Sequence, residues 1–356
     1  MRHPLPRSWY TSPDHFAREM CEVFGRAWLP VCHGSDIAGP GSYLTLTAGG
    51  EEIFLVHDRS GEIRGFHNAC QHRAHRLLDG AGTLKAAITC PYHAWAYGLD
   101  GSLRAAPRMG AIKGFNPAQY PLRPVRTASF AGFVMICHDD DAPEASAGLR
   151  DIEKHLLVDH PDLPQLHAIR RRDAVMGANW KTIIENYLEC YHCDVAHPSF
   201  GEFDLSTWKH IAGPAWSRQG RVPAARHNQA ASHGTIEGLS AWWQWPNIFW
   251  ARAFDEKSFV VAYHEPLAAN ATRQVRVVYA LDDEEDDTAL RDFNELFDEV
   301  FQEDVSVVES VQRGLSSRGY RGGALIEDDD ASAGWSEHVV GDFQTMVRSA
   351  LEGTAS

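Results

Sequence analysis

Two short stretches, each with one cysteine and one histidine, have the spacing of a metal site. Cys70 and His72 form the first pair, and Cys90 and His93 form the second pair 17 residues later. Thiolates and imidazoles on two tight loops can hold a metal. A zinc finger normally groups its two cysteines and its two histidines, whereas each stretch here supplies one of each. This mixed order fits a 2Fe–2S cluster in which one iron binds the thiolates and the other binds the imidazoles.

A second set of metal-binding residue types follows about 100 residues later, in NWKTIIENYLECYHCDVAHPSF. His192 and His197 lie near the predicted end of a helix, because Pro198 follows, and Glu189 shares a helical face with His192. Two histidines and one carboxylate are typical of non-haem Fe(II) oxygenases, which keep other metal positions open for dioxygen. Glu189 is the nearest candidate for the carboxylate, and Asp304 in a C-terminal helix is another.

Asp304 is a candidate because its charge lies on a predicted core-facing stripe. A buried carboxylate needs a partner, which is an arginine, a helix cap or a metal. Glu303, the preceding residue, has polar helical neighbours and is expected to face water. The helical neighbours of Asp304 are apolar: Val300, Phe301, Val307 and Val308.

The elements around these residues predict an α+β protein. Short strands broken by Gly and Pro predict an antiparallel β domain over residues 41–145, after a helical segment over residues 1–40. Helical and strand-like stretches then alternate over residues 146–356, and a long amphipathic helix runs from about residue 288 to residue 315.

Composition excludes several classes of protein. The net charge of -15 in 356 residues argues against a nucleic-acid partner. No apolar run is long enough for a membrane span and the N-terminus lacks a signal peptide, so a cytoplasmic protein is expected. Seven cysteines in such a chain make a disulfide framework improbable, and Cys190 and Cys193 are interpreted as packing residues.

The motifs CQHR and CPYHAW, with LPRSWYTSPDHFARE before them and VESVQRGLSSRGY near the end, resemble the large subunit of the Rieske non-haem iron oxygenases over nearly the whole chain. The resemblance implies an antiparallel β Rieske domain and a larger catalytic domain of the helix-grip type, whose antiparallel sheet is packed by helices. It implies two cofactors, a Rieske 2Fe–2S cluster and a mononuclear Fe(II). Their implied ligands are Cys70, His72, Cys90 and His93 for the cluster, and His192, His197 and Asp304 for the iron.

The resemblance also implies a role for Glu189. In related oxygenases, an acidic residue three positions before the first iron histidine links it to a cluster histidine of a neighbouring subunit. A path from His93 through Glu189 to His192 is therefore expected, within a head-to-tail homotrimer. No dinucleotide-binding glycine motif is visible, so a separate flavin and iron–sulfur reductase is expected to supply electrons from NAD(P)H.

The stretch ENYLECYH is similar to the branch of the family that acts on quaternary ammonium compounds, including glycine betaine, carnitine and proline betaine oxygenases. A quaternary ammonium has no N–H donor, so aromatic faces are its natural receptor. The segment from Trp242 to Trp250 is rich in aromatic residues. Tyr187, Trp245 and Phe249 are the predicted pocket residues.

The predicted function is hydroxylation, and N-demethylation, of a small betaine-type substrate. Aromatic residues also build cores and pockets for ring substrates. An aromatic-ring hydroxylating dioxygenase that acts on an aromatic acid is therefore an alternative. A non-catalytic Rieske electron carrier or a zinc-binding module is an alternative from another class.

Overall fold

The computed structural model describes residues 2, 4–200, 205–221, 240–252, 258–281, 288–327 and 333–353. The chain forms two compact units. The smaller unit comprises Gly25–Ala147 and Leu163–His167, and the larger comprises Met1–Phe24, Gly148–Asp162 and Ala168–Ser356. Domain boundaries after residues 40 and 145 stay predictions.

Before the smaller unit, the larger unit contributes three short N-terminal helices. They are α1 (Ser8–Thr11), α2 (Pro13–Glu19) and a π-helix (Met20–Phe24). Pro13 occupies the first turn of α2, where its missing N–H costs no helical hydrogen bond.

The smaller unit is built of short strands and turns. Its strands are β1 (Leu29–His33), β2 (Ser42–Ala48), β3 (Glu51–His57), β4 (Ile63–His67), β5 (Ala81–Thr83), β6 (Ile88–Thr89), β7 (Ala96–Tyr97), β8 (Leu103–Ala105), β9 (Pro124–Phe130) and β10 (Phe133–Cys137). One sheet has the strand order β1, β10, β9, β4, β3, β2, β5, and a second has the order β6, β7, β8.

The turn between β3 and β4 shows how this sequence folds locally. Asp58 accepts hydrogen bonds from the backbone N–H groups of Ser60 at 2.8 Å and Glu62 at 3.0 Å. Gly61 takes a φ of +92°, which glycine adopts without steric cost. The turn sets the antiparallel pairing of β3 with β4, and the first cysteine–histidine loop begins where β4 ends.

The larger unit continues with helices and a seven-stranded sheet in the order β11, β17, β16, β15, β14, β13, β12. Its helices are α3 (Ala145–Asp159), which begins in the smaller unit, α4 (Trp180–Tyr187), α5 (Cys193–Ala196), α6 (Thr288–Leu315) and α7 (His338–Glu352). Its strands are β11 (His167–Met176), β12 (Trp208–Gly213), β13 (Trp216–Arg221), β14 (Ser240–Gln244), β15 (Ile248–Arg252), β16 (Phe259–Ala268) and β17 (Ala271–Ala280).

Helix α6 carries Asp304, and helix α4, which ends two residues before Glu189, packs against α6. Asn179 caps α4, because its side-chain oxygen accepts the N–H of Lys181 at 3.0 Å. A buried apolar cluster joins the two helices. It contains Ile183 from α4, Phe301 and Val308 from α6, and Met176 from β11. Antiparallel sheets with packed helices confirm the predicted α+β fold class.

Candidate active site

Three metal-binding side chains meet at one end of a cavity in the larger unit. The Nε2 atoms of His192 and His197 lie 3.2 Å apart, and Asp304 Oδ1 lies 3.7 Å from the first and 3.4 Å from the second. Nitrogen and oxygen ligands bind an ion such as Zn²⁺ at about 2.0–2.2 Å. Donor atoms at these separations can contact one ion from one face, as in the two-histidine, one-carboxylate sites of non-haem Fe(II) oxygenases.

The two histidines flank α5, a helix of one turn. His192 precedes it and His197 follows it, with an extended φ of -114° that the next residue, Pro198, favours. The prediction that Glu189 and His192 share one helix is wrong, because α4 ends at Tyr187. Glu189 instead accepts hydrogen bonds from the backbone N–H groups of Tyr191 and His192, which competes with helical hydrogen bonding.

A carboxylate outside the metal site holds each histidine ring. Glu189 Oε1 lies 2.6 Å from His192 Nδ1, and Glu303 Oε2 lies 2.9 Å from His197 Nδ1. Each Nδ1–H is donated to a carboxylate, so the lone pairs of the two Nε2 atoms point into the same small space. A cation there relieves their repulsion, and the donor set therefore fits a metal ion.

Glu303 keeps 23% of its side chain exposed, as its polar neighbours predict, but its carboxylate also binds protein groups that the sequence does not indicate. Its carboxylate also accepts the Ser199 hydroxyl at 2.8 Å, because the segment after α5 lies against α6 at this point. Sequence neighbours alone could not reveal this contact, since Glu303 lies more than 100 residues from its partners.

Asp304 is buried, with 5% of its surface exposed. Asn186 Nδ2 donates a hydrogen bond to Asp304 Oδ1 at 2.6 Å, and this orienting residue was missed in the sequence. Burial acts to lower the pKa of His197, but the Asp304 and Glu303 carboxylates raise it by more, so the net shift is upward. The surplus of negative charge favours a bound cation.

Cys193 also lies close to the two iron-site histidines. Its sulfur is bonded to Cys190 in a disulfide, so the interpretation of both cysteines as plain packing residues is wrong. A disulfide sulfur is not a thiolate ligand. Asp304 Oδ1 is instead placed within 3.7 Å of both Nε2 atoms, where it can act as a third donor.

The cavity beside the metal-binding triad is mainly apolar and aromatic. The rings of Tyr187 and Phe249, both predicted pocket residues, lie 4.6 Å apart between centroids. Trp245 does not line the cavity, because it lies in the turn between β14 and β15 and packs on Trp243 and Phe343 instead. Other lining residues include Trp208, Val260, Ala262, Val300 and Phe301.

A buried hydrogen-bonded chain orients Gln274 and Tyr187 in the cavity wall, and no sequence motif predicts this chain. Burial lowers the pKa of His264 to about 4, so its imidazole is neutral. Its Nδ1–H donates to the Asn247 carbonyl at 2.9 Å, which leaves Nε2 to accept from the Gln274 amide at 2.9 Å. Gln274 also donates to the Tyr187 hydroxyl at 3.0 Å. These contacts hold the Tyr187 ring in place.

In the smaller unit, Cys70 and Cys90 begin two loops with the same backbone hydrogen bonds. Each cysteine carbonyl accepts the N–H four residues later, and each cysteine N–H donates to the carbonyl five residues later. Ala74 and Ala94 both have a positive φ, 56° and 57°, which is strained for alanine and typical of functional loops. The shared pattern places the two cysteine–histidine pairs in matching positions.

The cysteines lie inside and the histidines outside. Cys70 and Cys90 are each 3% exposed, whereas His72 and His93 are exposed and their ring centroids lie 4.7 Å apart. Burial raises the pKa of Cys90, so a buried thiolate there needs a metal to stabilise it. This donor set fits a 2Fe–2S cluster whose imidazole-bound iron lies nearer the surface.

Two aromatic residues support this cluster site. The Tyr97 hydroxyl oxygen accepts the N–H of Gln71 at 3.1 Å and lies 3.3 Å from Cys70 Sγ, so it can donate its proton to the thiolate. The Trp95 ring stacks on His72, with centroids 4.9 Å apart. Such contacts orient cluster ligands and tune their electronic properties.

Comparisons with known proteins agree with this geometry. The family model of the Rieske [2Fe-2S] domain matches residues 27–116, and that of the ring hydroxylating alpha subunit (catalytic domain) matches residues 163–353. The carnitine monooxygenase oxygenase subunit of Escherichia coli (strain K12) is 35% identical over 346 residues, which cover 96% of this chain and 92% of that protein. Choline monooxygenase of Spinacia oleracea is 30% identical over 342 residues, 91% of this chain and 74% of that protein.

Among solved structures, a quaternary ammonium Rieske monooxygenase in complex with L-carnitine superimposes with a TM-score of 0.88. Its sequence is 34% identical, and the match covers 98% of this chain and 95% of that chain.

The fold and the two donor sets define an oxidoreductase with one Rieske 2Fe–2S cluster and one mononuclear iron. The chain belongs to the ring-hydroxylating alpha subunit family of Rieske oxygenases, as an oxygenase subunit. An oxygenase subunit of this kind works with a reductase partner and a small-molecule substrate. None of the described helices is both long enough and apolar enough to cross a membrane.

Proposed function

We propose that this chain hydroxylates a small quaternary ammonium substrate with dioxygen and with electrons from an NAD(P)H-dependent flavin and iron–sulfur reductase. The observation that carries the proposal is the Tyr187–Phe249 ring pair in an apolar cavity that also contains the metal-binding triad. Aromatic faces attract a cation that has no N–H donors. The similarity to carnitine and choline monooxygenases supports the same class of substrate.

In this proposal the residues divide into two metal-binding sets and a substrate pocket. When bound, the cluster supplies electrons one at a time and the iron supplies the activation of dioxygen. Tyr187 and Phe249 hold the ammonium group, and the apolar wall excludes water from it. The cluster ligands are Cys70, His72, Cys90 and His93, and the iron ligands are His192, His197 and Asp304.

Hydroxylation of a methyl group next to nitrogen gives a carbinolamine-type product. That product loses formaldehyde and leaves the demethylated amine, so the expected overall reaction is N-demethylation. Formaldehyde is therefore a direct readout of where the oxygen atom enters the substrate.

Glu189 is proposed to link the two metal centres across a subunit boundary in a homotrimer. Its carboxylate holds His192 Nδ1 at 2.6 Å, and 12% of the side chain stays exposed. In the smaller unit, His93 is likewise exposed. Both ends of the proposed path are thus accessible to a neighbouring copy.

Turnover with a panel of substrates tests the proposal. Purified chain with a Rieske-type reductase, NADH and dioxygen is incubated with L-carnitine, γ-butyrobetaine, glycine betaine, choline and benzoate, and substrate loss and formaldehyde are measured. Consumption of at least one trimethylammonium compound is expected. Turnover of benzoate alone would instead identify an aromatic-ring dioxygenase.

Iron content separates the oxygenase from a non-catalytic electron carrier. About three irons per chain are expected from one binuclear and one mononuclear site. A fully loaded protein with only two irons per chain would contradict the mononuclear iron site. A protein that contains zinc and no iron would contradict both the cluster and the mononuclear iron.

A further inference from the structure

Arg276 places a positive charge on the wall of the apolar cavity. Among the described residues, it is the only lysine or arginine that lines the cavity, and it is 9% exposed. Its guanidinium donates to the Phe297 carbonyl at 3.1 Å, pairs with Asp298 and lies over the Phe301 ring. These contacts fix the guanidinium against α6.

Asp298 does not neutralise the positive charge at this end of the cavity. The same carboxylate pairs with Arg172 and lies 3.9 Å from Arg170, both on β11. Among the described residues, three guanidinium groups thus share the Asp298 carboxylate, so Asp298 balances only part of the charge of Arg276, which lines the cavity and can attract an anion. An arginine has five N–H donors, and the two contacts of Arg276 leave others for a carboxylate.

The positive end of the cavity and the iron site are separated along α6. Phe297, which holds Arg276, precedes Asp304 by seven residues, or about 10 Å of helix. Tyr187 lies at the iron end, because it follows Asn186, which binds Asp304. The cavity therefore has aromatic faces near the iron and a guanidinium one to two helical turns away, over Phe297 and Phe301.

We propose that Arg276, whose partner Asp298 is shared with Arg170 and Arg172, binds the carboxylate of a zwitterionic substrate whose trimethylammonium group lies near the iron. This inference rests on the proposed function and names the residue that selects betaines over quaternary ammonium compounds without a carboxylate. The separation of the two ends favours several bonds between the charges, as in γ-butyrobetaine. Choline carries the same cationic group without the carboxylate, so Arg276 does not strengthen its binding.

Equilibrium binding to the metal-loaded protein tests the inference. Dissociation constants for γ-butyrobetaine and choline are measured by isothermal titration with the wild type, Arg276→Gln and Arg276→Lys. In Arg276→Gln, the Kd of γ-butyrobetaine is expected to rise about tenfold or more, because a charge-assisted hydrogen bond is lost. The Kd of choline is expected to change by less than about twofold, and Arg276→Lys is expected to recover part of the loss.

Arg171→Gln is the matched control. Arg171 lies between Arg170 and Arg172 on β11, so its side chain points to the opposite face, where it pairs with Asp173. This variant is expected to leave both dissociation constants unchanged. Glycine betaine, with its shorter spacing of charges, is expected to bind the wild type more weakly than γ-butyrobetaine.

The outcomes separate this inference from the proposed function. Equal weakening of γ-butyrobetaine and choline in Arg276→Gln, or weakening of neither, contradicts the inference alone. A wild type that binds no trimethylammonium compound contradicts the proposed function as well. If Arg276→Gln does not fold, Asp298→Asn replaces it: loss of this carboxylate is expected to tighten γ-butyrobetaine binding only, and an unchanged Kd contradicts the inference.

Discussion

Glu189 and Glu303 hold the two iron-site histidines without being metal donors themselves. Each carboxylate accepts the Nδ1–H of one ring, His192 or His197, and so directs the opposite nitrogen toward the metal. A carboxylate partner also makes the imidazole a more basic ligand. The iron affinity of the site therefore depends on residues outside the ligand set.

Glu303→Gln is expected to lower the affinity for the mononuclear iron by about 10–100-fold, because a neutral amide holds His197 less firmly. Iron per chain is measured after dialysis against a graded chelator, and the cluster absorbance reports that the smaller unit stays intact. Glu299→Gln, an exposed position one turn earlier on α6, is the control. Equal iron loss in Glu303→Gln and the wild type would contradict the role of Glu303.

Tyr97→Phe is expected to lower the reduction potential of the cluster. The lost hydroxyl no longer donates to Cys70 Sγ, so the added electron is less stabilised. One hydrogen bond of about 0.5–1.5 kcal/mol corresponds to about 20–60 mV for one electron. A redox titration followed by circular dichroism measures the shift. Tyr43→Phe, whose lost hydroxyl donates to the Asp79 carbonyl and not to a cluster cysteine, is the control and should leave the potential unchanged.

Helix α4 carries a buried polar network that includes Lys181 and Glu185. Lys181 pairs with Glu19 at 2.6 Å, and both side chains are fully buried. One turn further, Glu185 accepts hydrogen bonds from Tyr10 at 2.6 Å and Gln344 at 2.9 Å. The network ties α4 to the N-terminal helices and to α7.

Glu185 makes the stability of the larger unit depend on pH. Burial raises its pKa to about 7, although its hydrogen bonds act in the opposite direction. The folded protein therefore holds this proton more tightly than the unfolded chain, whose pKa is 4.5. The contribution of this proton to the free energy of unfolding is fully present below pH 4.5. It is lost as the pH rises through about 7, a loss on the order of 3 kcal/mol.

Glu185→Gln keeps an oxygen for Tyr10 and Gln344 and cannot ionise, so it is expected to gain stability relative to the wild type as the pH rises from 5 to 7. Thermal unfolding at several pH values measures the difference. Glu352→Gln, an exposed position on α7, should follow the wild type. Parallel curves for Glu185→Gln and the wild type would show that the carboxyl is not protonated in the folded protein.

Site residues that lie close together in the sequence could be predicted, whereas contacts between distant segments could not. His192 and His197 lie five residues apart in a short segment, so their proximity follows from the chain itself. The apolar helical neighbours of Asp304 mark it as a buried carboxylate that needs a partner, and the family resemblance makes it a candidate ligand. The role of Glu303 depends on a contact with a distant segment, so it could not be predicted. Trp245 lies in a turn that the aromatic pattern does not reveal, so its prediction as a pocket residue was wrong.

In the whole molecule, the proposed electron path joins two metal centres through Glu189. Glu189→Gln is expected to weaken iron binding as Glu303→Gln does, so the variant is loaded with excess Fe(II) until both sites are occupied. In the loaded variant, cluster oxidation during turnover is expected to be slower than in the wild type. Stopped-flow absorbance of the reduced cluster, mixed with oxygenated substrate, measures this rate. If the rate of cluster oxidation is unchanged in a variant with the iron content of the wild type, Glu189 does not carry the electron between the two metal centres.

The proposal that both metal centres act together on a trimethylammonium substrate is tested most directly by a single turnover without reductase. Fully reduced protein is mixed with dioxygen, with and without γ-butyrobetaine, and cluster oxidation and hydroxylated product are measured per chain. We expect rapid cluster oxidation only when the substrate is present, together with product in proportion to the oxidised clusters. Cluster oxidation at the same rate without substrate, or without any product, would contradict this proposal.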